Sequence, residues 1–176
     1  MNILKHLQEE YHTKGILYLA EHVCEDPTQL KTLFDIYLKG DQTMQRRAAW
    51  ALGHAAEIQP SLFKKYYPVL IEQLNKSGQH QSIYRCAFKC MEETELPEKY
   101  LSQVFDLSLR YLSSEFYEAA VRAFAIAVAA RCAKPYPELS NELKLVLNTL
   151  IQESQSPAIK VRVRNALKYL TPKAAL

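Results

Sequence analysis

Apolar residues recur along the chain at the spacing of helices that bury one face. The clearest stripe lies between the breakers Asp41 and Pro60. It consists of Met44, Ala48, Ala51, Leu52 and Ala55. This i, i+4, i+7, i+8, i+11 spacing is that of a helix whose apolar side faces a core. No segment shows the alternation of Val, Ile and Thr with two-residue turns that indicates strands. The pattern therefore predicts an all-helical protein.

Helix-breaking residues divide this pattern into segments of similar length. They are Asp26-Pro27, Lys39-Gly40-Asp41, Gln59-Pro60, Lys76-Ser77-Gly78, Leu96-Pro97, Lys134-Pro135-Tyr136-Pro137 and Ser156-Pro157. Because Pro and Gly end helices and open turns, the segments between them predict paired helices of about 12 to 18 residues each.

The stripe of the second helix in a pair returns three times. Its later copies are Ile83, Ala87, Cys90 and Met91, then Ala120, Phe124, Ala127 and Val128, and finally Ile159, Val163, Ala166 and Leu167. Their leading residues are 39, 37 and 39 residues apart. Such a period is typical of a helical repeat array, in which each pair of helices buries its faces against its neighbours. We therefore expect Ala48, Ala87 and Ala127 to be buried where successive helices meet.

Two segments, DQTMQRRAAWALG and SPAIKVRVRNALK, resemble the second helix of a HEAT repeat. That motif has a turn residue, an aliphatic residue, a basic residue, a small residue three later, and Ala-Leu-Gly. The last repeat matches it at Ser156, Pro157, Ile159, Lys160, Val163, Ala166 and Leu167, with Lys168 in place of glycine. The first matches it at Asp41, Met44, Ala48, Ala51, Leu52 and Gly53, with Gln45 at the basic position. The two middle repeats match in apolar spacing alone.

The resemblance covers roughly residues 27–170. It implies an all-α fold, a right-handed α-solenoid of about four to five HEAT-like helical pairs. We expect a single HEAT-like repeat domain over residues 1–176, with 1–26 as a degenerate N-terminal capping pair, 27–170 as repeats and 171–176 as a tail. The segment AAVRAFAIAVAARC is apolar almost all round, as expected of a helix with repeats on both sides.

Composition narrows the classes of function. The chain is 48% hydrophobic, enough for a sizeable core, and its formal charge of +3 is too small to indicate nucleic-acid binding by itself. The end of the chain is locally basic. From Pro157 to Leu176 the charged residues are Lys160, Arg162, Arg164, Lys168 and Lys173, with no acid among them.

The sequence also bears on location. No apolar run reaches the ~20 residues that span a bilayer, and the N-terminus lacks the pattern of a signal peptide. Four cysteines are too sparse for a disulfide framework in a chain of this length, which favours a reducing compartment. We therefore expect a cytoplasmic protein that does not act in a membrane.

Arginines occupy one position of the repeat, two residues after the leading apolar residue. They are Arg46, Arg85 and Arg122, and in the fourth repeat Arg162 lies beside Val161 at that position. If the second helices line a concave face, as the resemblance implies, successive arginines stand about 10 Å apart and suit an acidic peptide or a phosphate backbone. An equally open alternative is that each arginine pairs with a nearby carboxylate, such as Glu57, Glu92 or Glu118.

Trp50, the only tryptophan, lies opposite the core stripe of its helix together with Arg46. It is a candidate anchor for a partner, because Trp and Arg are enriched at binding hot spots. The favoured alternative is lateral packing against a neighbouring repeat with an arginine stacked on its ring, because neighbours in a solenoid bury much of what one helix exposes.

No motif indicates catalysis or a cofactor. G-x-S-x-G, a phosphate-binding glycine loop, H-E-x-x-H and a dinucleotide fingerprint are all absent. Cys86 and Cys90 lie at i and i+4, and EHVCED gathers His22 and Cys24 with acids, but neither has a second pair at zinc spacing. We expect no metal and no other cofactor.

These observations favour a non-catalytic scaffold that binds a protein partner or acidic peptide on a mildly basic concave face. The predicted binding residues are Arg46, Trp50, Arg85, Arg122 and Arg162. The alternative is a nucleic-acid-binding or repair protein that resembles the HEAT-like DNA alkylation repair glycosylases. Those proteins hold DNA in a basic groove that bears aromatic residues, but no aspartate lies on the second helices here to face a damaged base.

Overall fold

The computed structural model describes residues 1–171, and every regular element within them is helical. The helices are α1 (Ile3–Glu9), α2 (Thr13–Glu25), α3 (Pro27–Lys39), α4 (Gln42–Ile58), α5 (Tyr67–Asn75), α6 (Gln81–Glu93), α7 (Leu101–Ser113), α8 (Ala119–Ala133), α9 (Pro137–Glu153) and α10 (Pro157–Leu170). Two 3₁₀ helices, Pro60–Tyr66 and Glu98–Tyr100, precede α5 and α7. The prediction of an all-helical protein is confirmed. Residues 172–176 of the predicted tail, with Lys173, lie outside the described residues.

Each predicted breaker lies between two helical elements, and at three of them the side chain of Asp26, Asp41 or Ser156 accepts a hydrogen bond from a free N–H group of the next helix. Asp26 accepts from the N–H of Thr28 at 2.8 Å, and Asp41 accepts from that of Met44 at 2.9 Å. Such caps satisfy donors that have no partner within the helix. Two breaks, at residues 10–12 and 114–118, were not predicted because they contain neither Pro nor Gly.

The chain divides into two compact units, Met1–Glu95 and Leu96 onward. In the first unit, the helices pair as α1 with α2, α3 with α4, and α5 with α6. Helix α4 packs against both α2 and α6, so these second helices form one layer. Phe34 of α3 stacks on Tyr66 of the first 3₁₀ helix, with ring centroids 3.7 Å apart, and so joins successive first helices.

The second unit contains two helix pairs within the described residues, α7 with α8 and α9 with α10. Helix α8 packs against α7, α9 and α10 and is the centre of this unit. Its apolar residues are distributed around the whole helix, and most of them are buried. The packing of α8 against α9 and α10 agrees with the repeat expected on one side of this helix, and the repeat expected on its other side stays a prediction.

The register predicted for α8 is wrong by one residue. Ala48 and Ala87 are fully buried as expected, but Ala127 is only half-buried, as are Ala120 and Phe124. The buried stripe of α8 consists instead of Val121, Ala125, Val128, Ala129 and Cys132. Because α8 is apolar on all sides, periodicity alone does not distinguish its core face. The leading residues Met44, Ile83, Val121 and Ile159 are 39, 38 and 38 residues apart.

Candidate functional site

Arg46 and Arg85 lie at equivalent positions on α4 and α6, and both side chains are exposed. Within residues 1–171 neither guanidinium has a hydrogen bond, an ion pair or a ring contact. Helices α4 and α6 pack directly on each other, and packed helices have axes about 8–10 Å apart. Two positive charges, both without partners in the part of the chain that the structure describes, are therefore held near each other on one surface of the first unit.

Arg122 is buried, with 9% of its surface exposed, and it does not form part of an exposed column. Its Nε donates a hydrogen bond of 3.0 Å to the carbonyl oxygen of Leu112, near the end of α7. This position follows from the corrected register, because Arg122 comes directly after the leading residue Val121 and not two residues after it. Its charge satisfies a carbonyl at the negative end of a helix.

The position after the leading residue has the same role in other repeats. Gln45 donates to the carbonyl of Leu38 at 3.3 Å, and Tyr84 donates to that of Lys76 at 2.9 Å. Each acceptor lies at or just beyond the end of the first helix of the pair, where carbonyls lack partners within the helix. Arg122 therefore belongs to a set of residues that tie the two helices of a pair together.

Arg162 is half-buried and packs within the second unit. Its guanidinium carbon lies 5.3 Å from the centroid of the Phe124 ring, a distance at which the cation is attracted to the ring. Phe124 is on α8 and Arg162 is on α10, so this contact joins two packed helices. The geometry gives Arg162 a role in packing.

Trp50 is half-buried against the N-terminal segment. The Tyr11 ring lies 5.3 Å away and nearly perpendicular, and the indole Nε1 donates to Nε2 of His54 at 3.0 Å. Arg47 stacks on Tyr11, 4.4 Å from its centroid, and donates to the carbonyl of Leu7 at 2.7 Å. The stacked arginine expected from the sequence thus lies on Tyr11 and not on the tryptophan.

A chain of polar contacts continues from Trp50 towards α6. His54 Nδ1 lies 2.8 Å from one carboxylate oxygen of Glu57, and Lys89 donates to the other oxygen. Since His54 Nε2 accepts from the indole, its proton is on Nδ1. Partial burial raises the pKa of Glu57, but the hydrogen bonds from Lys89 and His54 outweigh it and hold this pKa below its ordinary value. The charge of Lys89 is thus paired with a carboxylate, whereas Arg46 and Arg85 have no such partner within residues 1–171.

Gly53 allows the contact between Lys89 and Glu57. A Cβ atom at this position would lie 3.0 Å from Cδ of Lys89, so the absence of a side chain lets the lysine stem pass across α4 to Glu57. The glycine of the HEAT-like motif thus makes room for the Lys89 stem, and a side chain at this position would need the lysine to shift slightly.

Helix α2 adds residues that the sequence analysis did not propose. Its buried stripe of Ile16, Ala20 and Val23 places Tyr18 and His22 at the positions equivalent to Arg46 and Trp50. Tyr18 is 58% exposed, and its ring stacks on that of His22 with centroids 6.4 Å apart. They were missed because residues 1–26 were assigned to a degenerate cap, although the spacing of this stripe was a usable signal.

We call this surface of the first unit the α2–α4–α6 face. It comprises Tyr18, Arg46 and Arg85, with His22, Trp50 and Lys89 one turn further along each helix. It combines two cations that are unpaired within the described residues with partly exposed rings.

Cys86 and Cys90, one of the two groups considered for metal binding, are buried thiols that form no disulfide, and their sulfur atoms lie 3.9 Å apart. In the described part of the chain, no three His, Cys, Asp or Glu side chains are grouped as metal ligands. Nor does any helix described there have the length and apolar character needed to cross a bilayer.

A family model of the HEAT repeat domain matches residues 3–170. The chain therefore belongs to the HEAT repeat family, in agreement with the motif in α4 and α10. Such domains are repeat scaffolds that commonly mediate protein interactions. Comparisons with curated proteins and with solved structures found no match.

Proposed function

We propose that this protein is a non-catalytic HEAT-repeat scaffold that binds an acidic segment of a partner protein on the α2–α4–α6 face. The observation that carries the proposal is the pair Arg46 and Arg85, exposed on adjacent helices without any intramolecular partner in residues 1–171. Carboxylates supplied by a partner would form charge-assisted hydrogen bonds with both guanidinium groups. An extended segment that crosses the helices reaches them in succession.

The aromatic residues of this face support the same role. Tyr18 is largely exposed, and Trp50 is half-buried beside Arg46 on the same helix. Tyr, Trp and Arg are enriched at protein interfaces because they offer apolar area together with hydrogen-bond donors. Arg122 and Arg162 are not part of the proposed face, since the first is buried and the second packs on Phe124.

The finer architecture also belongs to this proposal. A right-handed solenoid of four to five helical pairs is the form that the HEAT resemblance implies, and the five pairs within residues 1–171 support that count. We also propose that the scaffold works in the cytoplasm, where its four free thiols stay reduced.

Binding of an acidic probe by charge-reversed variants tests the proposal. The probe is a short labelled peptide that alternates Glu and Gly, and its affinity is measured by fluorescence anisotropy at low salt. Arg85→Glu and Arg46→Glu should each weaken binding by about tenfold or more, because each replaces an attraction with a repulsion. Arg164→Glu is the matched control, since Arg164 is exposed on α10 without a partner in the described residues.

Stability distinguishes loss of recognition from loss of fold. The melting temperatures of all three variants should remain close to that of the parent, because exposed substitutions seldom change stability by more than about 0.5 kcal/mol. Equal losses of affinity in Arg85→Glu and Arg164→Glu would show that the face is not specific. Tighter binding of a short DNA duplex, with a steep dependence on salt that Arg85→Glu reduces, would favour the nucleic-acid alternative.

A further inference from the structure

The second unit has an open groove that is remote in sequence from the α2–α4–α6 face. It lies between the end of α8, the first half of α9 and the second half of α10, and its volume is about 900 Å³. This size is within the range of small-molecule sites, about 300–1,000 Å³. Ser140 and Leu170, which also line it, are buried and form part of its wall.

The groove is basic. Lys134, Lys144 and Lys168 line it, and its lining contains no Asp or Glu. Lys134 is already engaged, because its Nζ donates to the carbonyl of Tyr169 and lies 5.1 Å from the centroid of that ring. Lys144 and Lys168 have no hydrogen bond or ion pair among residues 1–171. Two ammonium groups that line the same groove are thus without a counter-charge within residues 1–171.

Neutral donors accompany these charges. The side chains of Asn141 and Asn165 line the groove from α9 and α10, and they too lack partners in the part of the chain that the structure describes. Each amide offers two N–H donors in a fixed plane. Pro137, the first residue of α9, also lines the groove, so the positive end of a 17-residue helix lies beside it.

We propose that this groove binds a small phosphorylated ligand. A phosphate group carries more than one negative charge and several acceptor oxygens, which matches two unpaired ammonium groups and two amides better than a single carboxylate does. The ring of Tyr169, 49% exposed at the edge of the groove, offers an apolar surface to the remainder of the ligand.

The dimensions of the groove favour a small ligand over a long polyanion. A concave site of about 900 Å³ has the size of a site for a compact phosphorylated molecule. A nucleic acid or an anionic membrane needs a basic surface that continues beyond the groove, whereas α9 exposes the carboxylates of Glu138 and Glu142 outside the groove lining.

Isothermal titration with inorganic pyrophosphate tests this proposal. The variant Lys144→Gln/Lys168→Gln removes the two positive charges and leaves polar side chains that are one atom shorter, and it should weaken pyrophosphate binding by about tenfold or more. The control Lys14→Gln/Lys31→Gln changes net charge equally at exposed lysines of the first unit, and its affinity should stay within about twofold of the parent, since it affects only the general field. Circular dichroism checks that both variants are folded.

A second measurement locates the site in the parent protein. Pyrophosphate should shift the NMR signals of the side-chain amides of Asn141 and Asn165. Equal affinity of the two double variants, or amide signals that do not shift, would overturn the proposal. So would tighter binding of a DNA duplex or of phosphatidylserine vesicles that depends on Lys144 and Lys168, because the ligand would then be a polymer or a membrane.

Discussion

At the scale of single residues, the place of a side chain in the repeat decides whether its charge serves the fold or remains available. Arg46 and Arg85 come two residues after the leading apolar residue and are exposed. Arg122 comes one residue after it and is buried against the carbonyl of Leu112. A shift of one residue turns a helix by about 100° and so separates a surface group from a structural one.

Replacement of Arg122 tests its structural role. Arg122→Met keeps most of the side-chain volume but leaves the carbonyl of Leu112 without this donor, and a buried polar group that loses its partner costs about 1–3 kcal/mol. Urea unfolding should show a loss of stability in that range. Arg164→Met, the same substitution at an exposed position of α10, should change the free energy of unfolding by less than about 0.5 kcal/mol. Similar small effects of both would contradict the role given to Arg122.

The residues of the α2–α4–α6 face were predictable only in part. Arg46 and Arg85 were found because α4 and α6 each have one clear apolar stripe, which fixes the opposite side. Arg122 was misplaced because α8 offers no such contrast. The basic groove of the second unit could not be found from the spacing of residues in the sequence. Its three lysines come from the end of α8, from α9 and from α10, and they meet only in the folded unit.

At the scale of helices, the sequence predicted where helices begin and end better than which of their faces is buried. Asp and Ser before a helix, and Pro at its first position, act through local hydrogen bonds and a fixed backbone angle, so they do not depend on tertiary context. These signals do not give the type of helix, because the segment after Pro60 starts as a 3₁₀ helix and becomes α-helical only at Tyr67. The motif in α4 and α10 was sufficient to indicate the HEAT repeat family.

The cap of α4 is open to a direct test, since this helix carries both Arg46 and Trp50. Asp41→Ala removes the acceptor of the Met44 N–H and should reduce stability by about 1 kcal/mol. Asp106→Ala is the matched control, because Asp106 is exposed within α7 and alanine has the higher helix propensity, so stability should stay equal or rise slightly. Thermal unfolding compares the two. A loss as large in Asp106→Ala would show that the cap is not the cause.

At the scale of the whole molecule, each compact unit has its own buried core and its own buried thiol. Cys90 is completely inaccessible in the first unit, and Cys132 is 1% exposed in the second. Burial raises the pKa of Cys132 to about 12 and that of Cys90 well above its ordinary value. Only the thiolate reacts with disulfide reagents. Burial therefore protects both thiols in two ways, because it keeps reagents away and because it keeps the thiols protonated.

Labelling with a thiol reagent should therefore follow unfolding. In native buffer at about pH 8, well below the pKa of Cys132, modification of both thiols should be slow, and it should become rapid in urea. Mass spectrometry of the labelled peptides reports Cys90 and Cys132 separately and so measures the unfolding of each unit. Rapid stoichiometric labelling of either thiol without denaturant would contradict the burial described above.

The donors that tie the helices of a pair together indicate how such repeats can tolerate insertions and deletions. Gln45, Tyr84 and Arg122 reach carbonyls 7, 8 and 10 residues earlier in the chain. Gln45 and Arg122 donate through nitrogens that are equally far from Cα, so the same reach spans different separations along the chain. The bond depends on the place of the donor after the leading residue and on a free carbonyl at the end of the first helix, and not on the number of residues between them. A turn can therefore gain or lose residues while the apolar stripe that stacks one repeat on the next stays as it is.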